Sequence, residues 1–353
     1  MAQPSTSYIQ SIVDSFYTAR PEAKGIIVHV VSAKEKGEGS AAVGFADLSK
    51  EIALRVENPV LIASNTKTYV SATLLRLVEE GLLTLDDPIG AYLEEDSANL
   101  LQQKGYDIDS ITIRHLLSHR SGIEDYVGEA YMEKVTQDPM HRWTREEQIQ
   151  WAMTYGQSLG RAGTVFSYAD VNYLLLTEII EHFSEDPFYE SIPKWLGFED
   201  NELNRSWFIS LADTPEGSLP LATQYASAFG WKSSDIDPSV DLYGGGGIAA
   251  TMEDLARFAH LFFEGKIVKD TEVLNQVYAD LPAIDSVPTT YHLGVSSSRV
   301  GGLLSWGHGG FWGTTVRYFP DLETSISIAV LEKDAADLRG SIMEALVGEL
   351  KKM

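Results

Sequence analysis

The chain has 353 residues, no cysteine and a formal net charge of −24 at pH 7. Its length favours about two domains, and its hydrophobic content of 44% excludes a disordered or fibrous chain. Such an acidic composition argues against nucleic acids and anionic membranes as partners, because both are bound by basic side chains. The absence of cysteine excludes disulfides, thiolate nucleophiles and Cys-ligated metal centres.

The first part of the chain predicts a helix, a hairpin and a second helix. Apolar spacing predicts a helix over residues 8–19. Residues 25–31 and 41–46 are typical of paired strands on either side of a polar turn at 34–39. Residues 66–80 give the strongest helix prediction, because their apolar side chains share one face.

The middle of the chain is richer in helix patterns. We predict helices at 113–117, 146–155 and 173–183, with irregular connections between them. A run of four glycines at 244–247 then precedes a further helix at 251–263, which opens on a threonine suited to the N-cap.

The last part returns to strands, predicted at 291–296, 303–307, 314–319 and 325–331, before a final helix at 335–351. Strand-rich ends around a helix-rich middle favour one sheet built from both ends of the chain. The predicted fold class is α+β, with an antiparallel sheet flanked by helices and an inserted, mostly helical domain.

The same pattern predicts where the domains divide. We expect residues 1–90 and 240–353 to form the sheet domain and residues 91–239 to form the helical insert. The active site is expected in the cleft between them.

Serine is the only strong candidate nucleophile, and it needs a base because a free hydroxyl is a poor nucleophile at neutral pH. Ser64 and Lys67 are three residues apart, so a helix places them on one face. The start of a helix also favours the negative charge that develops there. A lysine buried beside an apolar helix face would have a lowered pKa, so Lys67 could accept the proton.

Two other serine patterns are weaker. Ser191 and Lys194 repeat the spacing, but no long apolar helix follows them, and we interpret the segment as a turn. Residues 156–160 match the Gly-x-Ser-x-Gly elbow around Ser158, which must join a buried strand to a helix. A helix pattern precedes Ser158 and a loop pattern follows it, so an α/β-hydrolase using Ser158 is a distant alternative.

Several segments occur together in an order typical of one family. They are Ser64-x-x-Lys67 and residues 77–93, 112–126, 166–181, 243–258 and 307–313. In order and spacing they resemble the class C β-lactamases and related penicillin-binding serine hydrolases. D-Ala-D-Ala carboxypeptidases, D-aminopeptidases and esterases of the same fold belong to this group. The resemblance covers essentially the whole chain.

The resemblance implies roles for the first two motifs. Ser64 would be the nucleophile, Lys67 its proton partner and Tyr168 a general acid/base. A tyrosine with an ordinary pKa of ~10 is a poor base at neutral pH, but Lys67 and a charged His308 would favour the tyrosinate. Which of Lys67 and Tyr168 takes the serine proton stays open, and the pair is expected to titrate as a unit.

The third motif of the family lies on a strand and is His308-Gly309-Gly310 here. The resemblance implies that these residues bind the substrate. It also implies an oxyanion hole formed by the backbone amides of Ser64 and Phe311. Such donors lower the barrier by a few kcal/mol each.

Departures from the family pattern bear on the substrate. The usual asparagine of the second motif is Asp170, and an ionised aspartate would hold Lys67 or attract a substrate amine. Asp170 also fits the N-cap of the following helix. A neutral His308 captures a carboxylate less well than a lysine does. Phe311 and Trp312 add apolar surface that would suit an acyl or aryl group.

These residues favour a serine acyl hydrolase with an acyl-enzyme on Ser64. We expect an esterase or peptidase acting on small acyl substrates, with weak or no β-lactam turnover. The alternatives are a D-Ala-D-Ala carboxypeptidase, a penicillin-binding protein that turns over slowly, or a class C-type β-lactamase. His115 and His119 are four residues apart, but no third ligand has a helpful spacing, so we expect neither metal nor cofactor.

The expected partner is a small acyl substrate, either an ester, an amide or a D-amino-acid peptide. No apolar run approaches the ~18 residues of a membrane helix. The first seven residues lack the basic and apolar segments of a signal peptide. Because export is usual for cell-wall-directed relatives, we expect a periplasmic or secreted protein whose signal peptide is absent from this sequence. The oligomeric state is left open.

Overall fold

The computed structural model describes residues 6–33, 38–184, 186–284 and 290–353, so most of the predicted turn at 34–39 lies outside the described residues. The helices are α1 Thr6–Ala19, α2 Thr66–Glu79, α3 Glu95–Gln103, α4 Ile113–Leu117, α5 Glu129–Gln137, α6 Arg145–Tyr155, α7 Val171–His182, α8 Phe188–Trp195, α9 Met252–Phe263, α10 Thr271–Asn275 and α11 Leu338–Leu350. The strands are β1 Gly25–Ser32, β2 Gly39–Asp47, β3 Ile52–Ala53, β4 Val60–Leu61, β5 Ser206–Phe208, β6 Tyr225–Ala226, β7 Trp231–Lys232, β8 Ile248–Ala250, β9 Ser296–Val300, β10 Leu303–Gly310, β11 Thr314–Phe319 and β12 Thr324–Val330.

The main sheet has seven strands in the order β3-β2-β1-β12-β11-β10-β9, and every neighbouring pair is antiparallel. Its centre joins the two ends of the chain, because β1 pairs with β12 from Ile26 opposite Val330 to Ser32 opposite Thr324. The predicted antiparallel sheet with flanking helices is confirmed.

Strand β12 shows why helices cover both faces of this sheet. Ile326, Ile328 and Val330 alternate along the strand and pack in the core formed with α1 and α11. The residues between them face α9, where the Ser327 hydroxyl donates to the carbonyl of Met252. Each face is therefore closed by a different helix layer.

A second, three-stranded sheet positions the candidate nucleophile. Its order is β4-β8-β5, and β4 runs directly into the turn that carries Ser64. The amide of Ile62 donates to the carbonyl of Ile248 at 3.0 Å, which extends this pairing to the edge of that turn.

The predicted strand at 291–296 is wrong, because this segment binds α2 rather than a neighbouring strand. The Thr68 hydroxyl donates to the carbonyl of Gly294 at 2.9 Å, and the Ser71 hydroxyl donates to the carbonyl of Leu293 at 2.8 Å. Gly294 has a φ of 71°, and an added Cβ would lie 2.6 Å from the Cβ of Ser71. Strand β9 begins only after this close approach.

The interpretation of Ser191 and Lys194 as a turn is also wrong. Both lie in α8, which forms because Phe188 and Ile192 bury one face of the helix. The Ser191 hydroxyl donates to the carbonyl of Asp186 at 2.8 Å, while the Lys194 ammonium pairs with the Asp186 carboxylate at 2.6 Å. Neither side chain is available to activate the other.

Helices α3 to α8 all fall within residues 91–239, and the division into a sheet domain and a helical insert stays a prediction. In the described ranges, no helix combines the length and the apolar character needed to cross a membrane.

Candidate active site

Ser64 lies in a short 3₁₀ turn, Ala63–Asn65, between β4 and α2. Ala63 has a φ of 48°, a left-handed conformation that non-glycine residues rarely adopt. The Asn65 amide donates to the carbonyl of Ile62 at 2.7 Å and to the hydroxyl of Thr314 at 2.9 Å. These buried bonds fix the turn against β11 and hold the partly exposed Ser64 at the start of α2.

Gly310 allows β10 to pack against this turn. A Cβ at Gly310 would lie 2.3 Å from the carbonyl oxygen of Ile62, which no real side chain tolerates. Phe311 follows directly at the end of the strand. The oxyanion hole formed by the amides of Ser64 and Phe311 stays a prediction.

The two neighbouring glycines of the third motif provide a matched test. Gly310→Ala is expected to lower ester hydrolysis about 100-fold by displacing the Ser64 turn, and to cost about 1–3 kcal/mol of stability through overpacking. Gly309→Ala is expected to be close to neutral, because an added Cβ there meets atoms only at 3.7 Å. Steady-state kinetics and urea unfolding of both variants check this, and equal losses would contradict the close approach at Gly310.

Lys67 is fully buried, and its ammonium group makes three polar contacts. Nζ lies 3.1 Å from Oγ of Ser64, 2.5 Å from the carbonyl oxygen of Gly245 and 2.5 Å from a carboxylate oxygen of Asp170. The spacing of three residues therefore brings Ser64 and Lys67 together as predicted. The ammonium group thus donates hydrogen bonds to Ser64 and Gly245 and forms an ion pair with Asp170.

The expected lowering of the Lys67 pKa is wrong. Burial acts to lower the pKa of Lys67, but the negative charge of Asp170, with a smaller contribution from Tyr168, outweighs it and raises the pKa above its ordinary value. Lys67 is thus a buried cation with an ion-pair partner rather than a neutral amine. The apolar helix face alone could not reveal this, because Asp170 comes from another element.

Tyr168 lies beside this lysine, with the Lys67 ammonium 4.9 Å from its ring centroid. The ring keeps 38% of its surface exposed, but the hydroxyl end is buried and interacts with Ser64 and Lys67. Burial raises the pKa of Tyr168 to about 12, although Lys67 acts to lower it. The expectation that the tyrosinate is favoured is therefore wrong, since burial outweighs the nearby positive charge.

His308 is buried and neutral. Its Nδ1 lies 2.7 Å from the carbonyl oxygen of Gly309 and 3.0 Å from the Gly309 amide nitrogen. Its Nε2 lies 3.0 Å from the hydroxyl oxygen of Tyr291, so both ring nitrogens are engaged. Burial, and then the charge of Lys67, lower the pKa of His308 to about 3, so the expected charged imidazole is wrong.

The two histidines considered for a metal have separate structural roles. His115 closes a capping box with Thr112 at the start of α4. The Nδ1 of His119 accepts from the amide of Ala169 at 3.2 Å, and its ring lies 4.2 Å from the Tyr168 ring. Within the described ranges, no group of three His, Asp or Glu side chains is arranged to hold a metal ion.

Asp170 occupies the N-cap position of α7, but its side chain caps no backbone amide. The carboxylate of Asp125 replaces it and accepts from the amide of Val171 at 3.2 Å. Asp170 is thereby free to pair with Lys67, which matches one of the two roles expected for it.

Trp312 and Phe311 differ in exposure. Trp312 is 4% exposed and its carbonyl oxygen accepts from the Gln224 side chain, so it packs inward and offers little surface to a substrate. Phe311 is partly exposed and lies 6.1 Å from the ring of Phe229, which is 40% exposed. The apolar surface near the third motif therefore comes from Phe311 and Phe229.

Ser158 does not occupy a nucleophile elbow. It is exposed and follows α6 in a loop, where it forms a single bridge with Ile123. The main sheet is antiparallel, whereas an α/β-hydrolase needs a parallel one. The distant alternative based on Ser158 is wrong.

Several residues that complete the site were missed from the sequence. They are Asn65, Asp125, Asp241, Gly245 and Tyr291. The run of four glycines was the available signal, because adjacent glycines indicate close approach of the backbone to another group.

The chain was compared with known proteins, and a family model described as Beta-lactamase matches residues 13–340. Protein flp of Staphylococcus aureus (strain MRSA252) is 27% identical over 191 residues, which make up 51% of this chain but 36% of that protein. The chain thus matches about a third of the length of this curated relative.

Solved structures show the same fold. The chain superposes on a D-stereospecific amidohydrolase from Streptomyces sp. with a TM-score of 0.79 and 22% identity, covering 97% of this chain and 98% of that one. The D-amino acid amidase from Ochrobactrum anthropi SV3, complexed with L-phenylalanine, gives a TM-score of 0.80 at 21% identity with the same coverage of 97% and 98%. Since the family model spans nearly the whole chain and the fold agrees with it, this chain belongs to the beta-lactamase family of serine hydrolases.

Proposed function

We propose that the chain is an acyl hydrolase that forms an acyl-enzyme on Ser64. The observation that carries this proposal is the contact of 3.1 Å between the Lys67 ammonium and the Ser64 hydroxyl oxygen, at the start of a helix. A buried cation at this distance stabilises the alkoxide that develops as Ser64 loses its proton.

Tyr168 is the general base in this proposal. Lys67 is a protonated ammonium group paired with Asp170, so its nitrogen has no lone pair that could accept a proton. The hydroxyl of Tyr168 lies against Ser64 and Lys67, and its deprotonated form can take the serine proton. Because the pKa of Tyr168 is about 12, the rate of acylation is expected to rise with pH through the neutral range.

The reaction has two steps, acylation of Ser64 and hydrolysis of the acyl-enzyme. Ser64 Oγ bonds to the carbonyl carbon, its proton passes to the Tyr168 oxygen, and the oxyanion is held by the amides of Ser64 and Phe311. Collapse of this intermediate breaks the bond to the leaving group, which departs with the proton from Tyr168. Water then attacks the ester of Ser64 and loses a proton to the Tyr168 oxygen. The bond to Ser64 Oγ breaks, Ser64 takes that proton from Tyr168, and the acid is released.

The substrate class follows from the charges around the site. His308 is neutral and both its nitrogens are engaged, so it has no spare donor for the carboxylate of a β-lactam or a peptide C-terminus. The Lys67 ammonium is likewise engaged, by the Asp170 carboxylate. We infer esters or amides of small neutral or amine-bearing acyl groups, with weak β-lactam turnover. The similarity in fold to a D-stereospecific amidohydrolase and to a D-amino acid amidase supports an amide substrate.

The test is an intact-mass time course with a fluorophosphonate probe and, in parallel, with a penicillin, followed by peptide mapping. We expect one fluorophosphonate adduct, on the peptide that contains Ser64. We also expect little or no penicillin adduct at the same protein concentration. The Ser158→Ala protein is the control and should label like the wild type.

Each other outcome points to a different conclusion. A penicillin adduct that persists would favour a penicillin-binding, carboxypeptidase-like enzyme, and one that forms and disappears quickly would favour a β-lactamase. A fluorophosphonate adduct only on another serine would overturn the proposal.

A further inference from the structure

Three carboxyl groups surround the one buried ammonium group of the site. Asp170 pairs directly with Lys67, and both Asp125 and Asp241 interact electrostatically with the same lysine. Fully ionised, they would set three negative charges against one positive charge in a buried space. Such an excess is unfavourable, so protons must be retained on part of this carboxyl cluster (Asp125, Asp170 and Asp241).

Two glycines bring Asp241 close to the pair of Asp170 and Lys67. A Cβ at Gly245 would lie 3.1 Å from the carboxyl carbon of Asp170 and 3.3 Å from Oδ1 of Asp241. At Gly246 it would lie 2.3 Å from Oδ2 of Asp241. Both carboxyl groups therefore pack on the same stretch of backbone, whose carbonyl at Gly245 binds Lys67.

The members of the cluster differ in the donors available to them. Asp125 accepts from the amides of Tyr126 at 2.9 Å and Val171 at 3.2 Å, and Asp170 has the Lys67 ammonium. Oδ1 of Asp241 and Oδ1 of Asp170 are both buried without a hydrogen-bond partner among the described residues, but Asp170 Oδ1 lies 2.5 Å from the Lys67 ammonium. A buried carboxylate oxygen without a donor is costly, so the proton is retained most readily on Asp241.

We propose that Asp241 is a positioning residue that stays protonated while Asp170 pairs with Lys67, so that no excess negative charge reaches Ser64 and Tyr168 near neutral pH. The inference rests on the proposed function, because it concerns the proton transfer between Ser64 and Tyr168. Asp241 touches neither the substrate nor the reacting atoms, and acts through the charge it adds or withholds.

The groups that face Asp241 determine how it titrates. They are Lys67 from α2, Asp170 from the start of α7, Asp125, Tyr126 and Tyr131. Burial, and then Asp170, raise the pKa of Asp241 to about 8, against the attraction of Lys67. Burial and Asp170 also raise the pKa of Asp125, to about 7. Above these values the added charge opposes formation of the tyrosinate on Tyr168.

The experiment compares the pH dependence of Ser64 labelling in the wild type and in Asp241→Asn. In the wild type, the second-order rate of fluorophosphonate modification should rise less steeply between about pH 7 and 9 than at lower pH. In Asp241→Asn the rise over this interval should be steeper. The ratio of the two rates should be close to one near pH 6.5 and reach about tenfold near pH 9.5, from the Coulomb energy of one nearby charge.

Asp235→Asn is the control, because it removes the same charge from the exposed part of the same segment and should follow the wild-type profile. The inference would be overturned by a ratio of the two labelling rates that stays constant at every pH. It would also be overturned by an Asp241→Asn rate that rises with pH as slowly as the wild-type rate does. Absence of any Ser64 adduct in the wild type would instead overturn the proposed function. The two failures are thus distinguishable.

Thermal unfolding provides a second readout. A carboxyl group whose folded-state pKa is raised contributes stability below its unfolded pKa of about 4 and loses it progressively up to its folded pKa. The wild type should therefore lose more stability between about pH 5 and 8 than Asp241→Asn does, so the difference in Tm should shift in favour of the variant. Parallel Tm curves would contradict the proposal even if the variant labels poorly.

Discussion

Replacing Ser64 with alanine is expected to abolish hydrolysis of short-chain aryl esters, with a loss of at least about 10⁴-fold in kcat. The hydroxyl oxygen is the only atom removed, and it is the atom to which the acyl group would bond. The side chain is partly exposed and the turn is held by Asn65, so the fold and Tm should change little. Initial rates, circular dichroism and thermal unfolding check this.

The matched control for this experiment is Ser158→Ala. It removes the hydroxyl of the serine that the sequence analysis considered as an alternative nucleophile. It should retain wild-type rates, because Ser158 lies exposed in the loop after α6. Full activity in the Ser64→Ala protein, at wild-type Tm, would rule out an acyl-enzyme on this residue.

Lys67→Met is expected to remove activity and to destabilise the fold. Methionine occupies a similar volume, but it leaves Asp170 without its cation beside two further carboxyl groups. Leaving a buried charge unpaired costs about 3–5 kcal/mol. Urea unfolding measures the free energy, and single-turnover acylation measures the loss of reactivity, expected to be at least about 10³-fold.

The double variant Lys67→Met with Asp170→Asn separates the two effects. Removing both partners should restore most of the unfolding free energy, because no unpaired carboxylate is left in the site. It should restore none of the activity, because the cation beside Ser64 is still missing. Lys24→Met is the control for losing a partly buried lysine, since Lys24 pairs with Glu332 away from the site. Wild-type reactivity in Lys67→Met would exclude the role given to this ammonium group.

Local sequence patterns predicted most of the fold because local rules determine those elements. The apolar period of 66–80 became α2, the strand pattern at 314–319 became β11, and the threonine at 251 caps α9. The segment 291–296 failed because its backbone bonds to α2, a tertiary contact with no local signal beyond one glycine.

The candidate site was predictable in its residues and unpredictable in its charges. The order of motifs identified Ser64, Lys67, Tyr168 and His308, and the structure brings them together. Their protonation depends on burial and on partners from distant elements, such as Asp170 for Lys67. A pattern of residue types does not contain that information, so the expected pKa changes of Lys67 and Tyr168 were wrong, and of the two states considered for His308 only the neutral one is confirmed.

The bond between Asn65 and Thr314 joins residues 249 positions apart, and β1 pairs on one side with β12, which comes from the far end of the chain. During synthesis the nucleophile emerges long before the strand that locks its turn. At roughly 5–20 residues per second, about 12–50 s separate the two events. The nascent chain is therefore expected to be inactive until β10 and β11 have emerged from the ribosome. The fold itself thus delays activity until translation has passed β11.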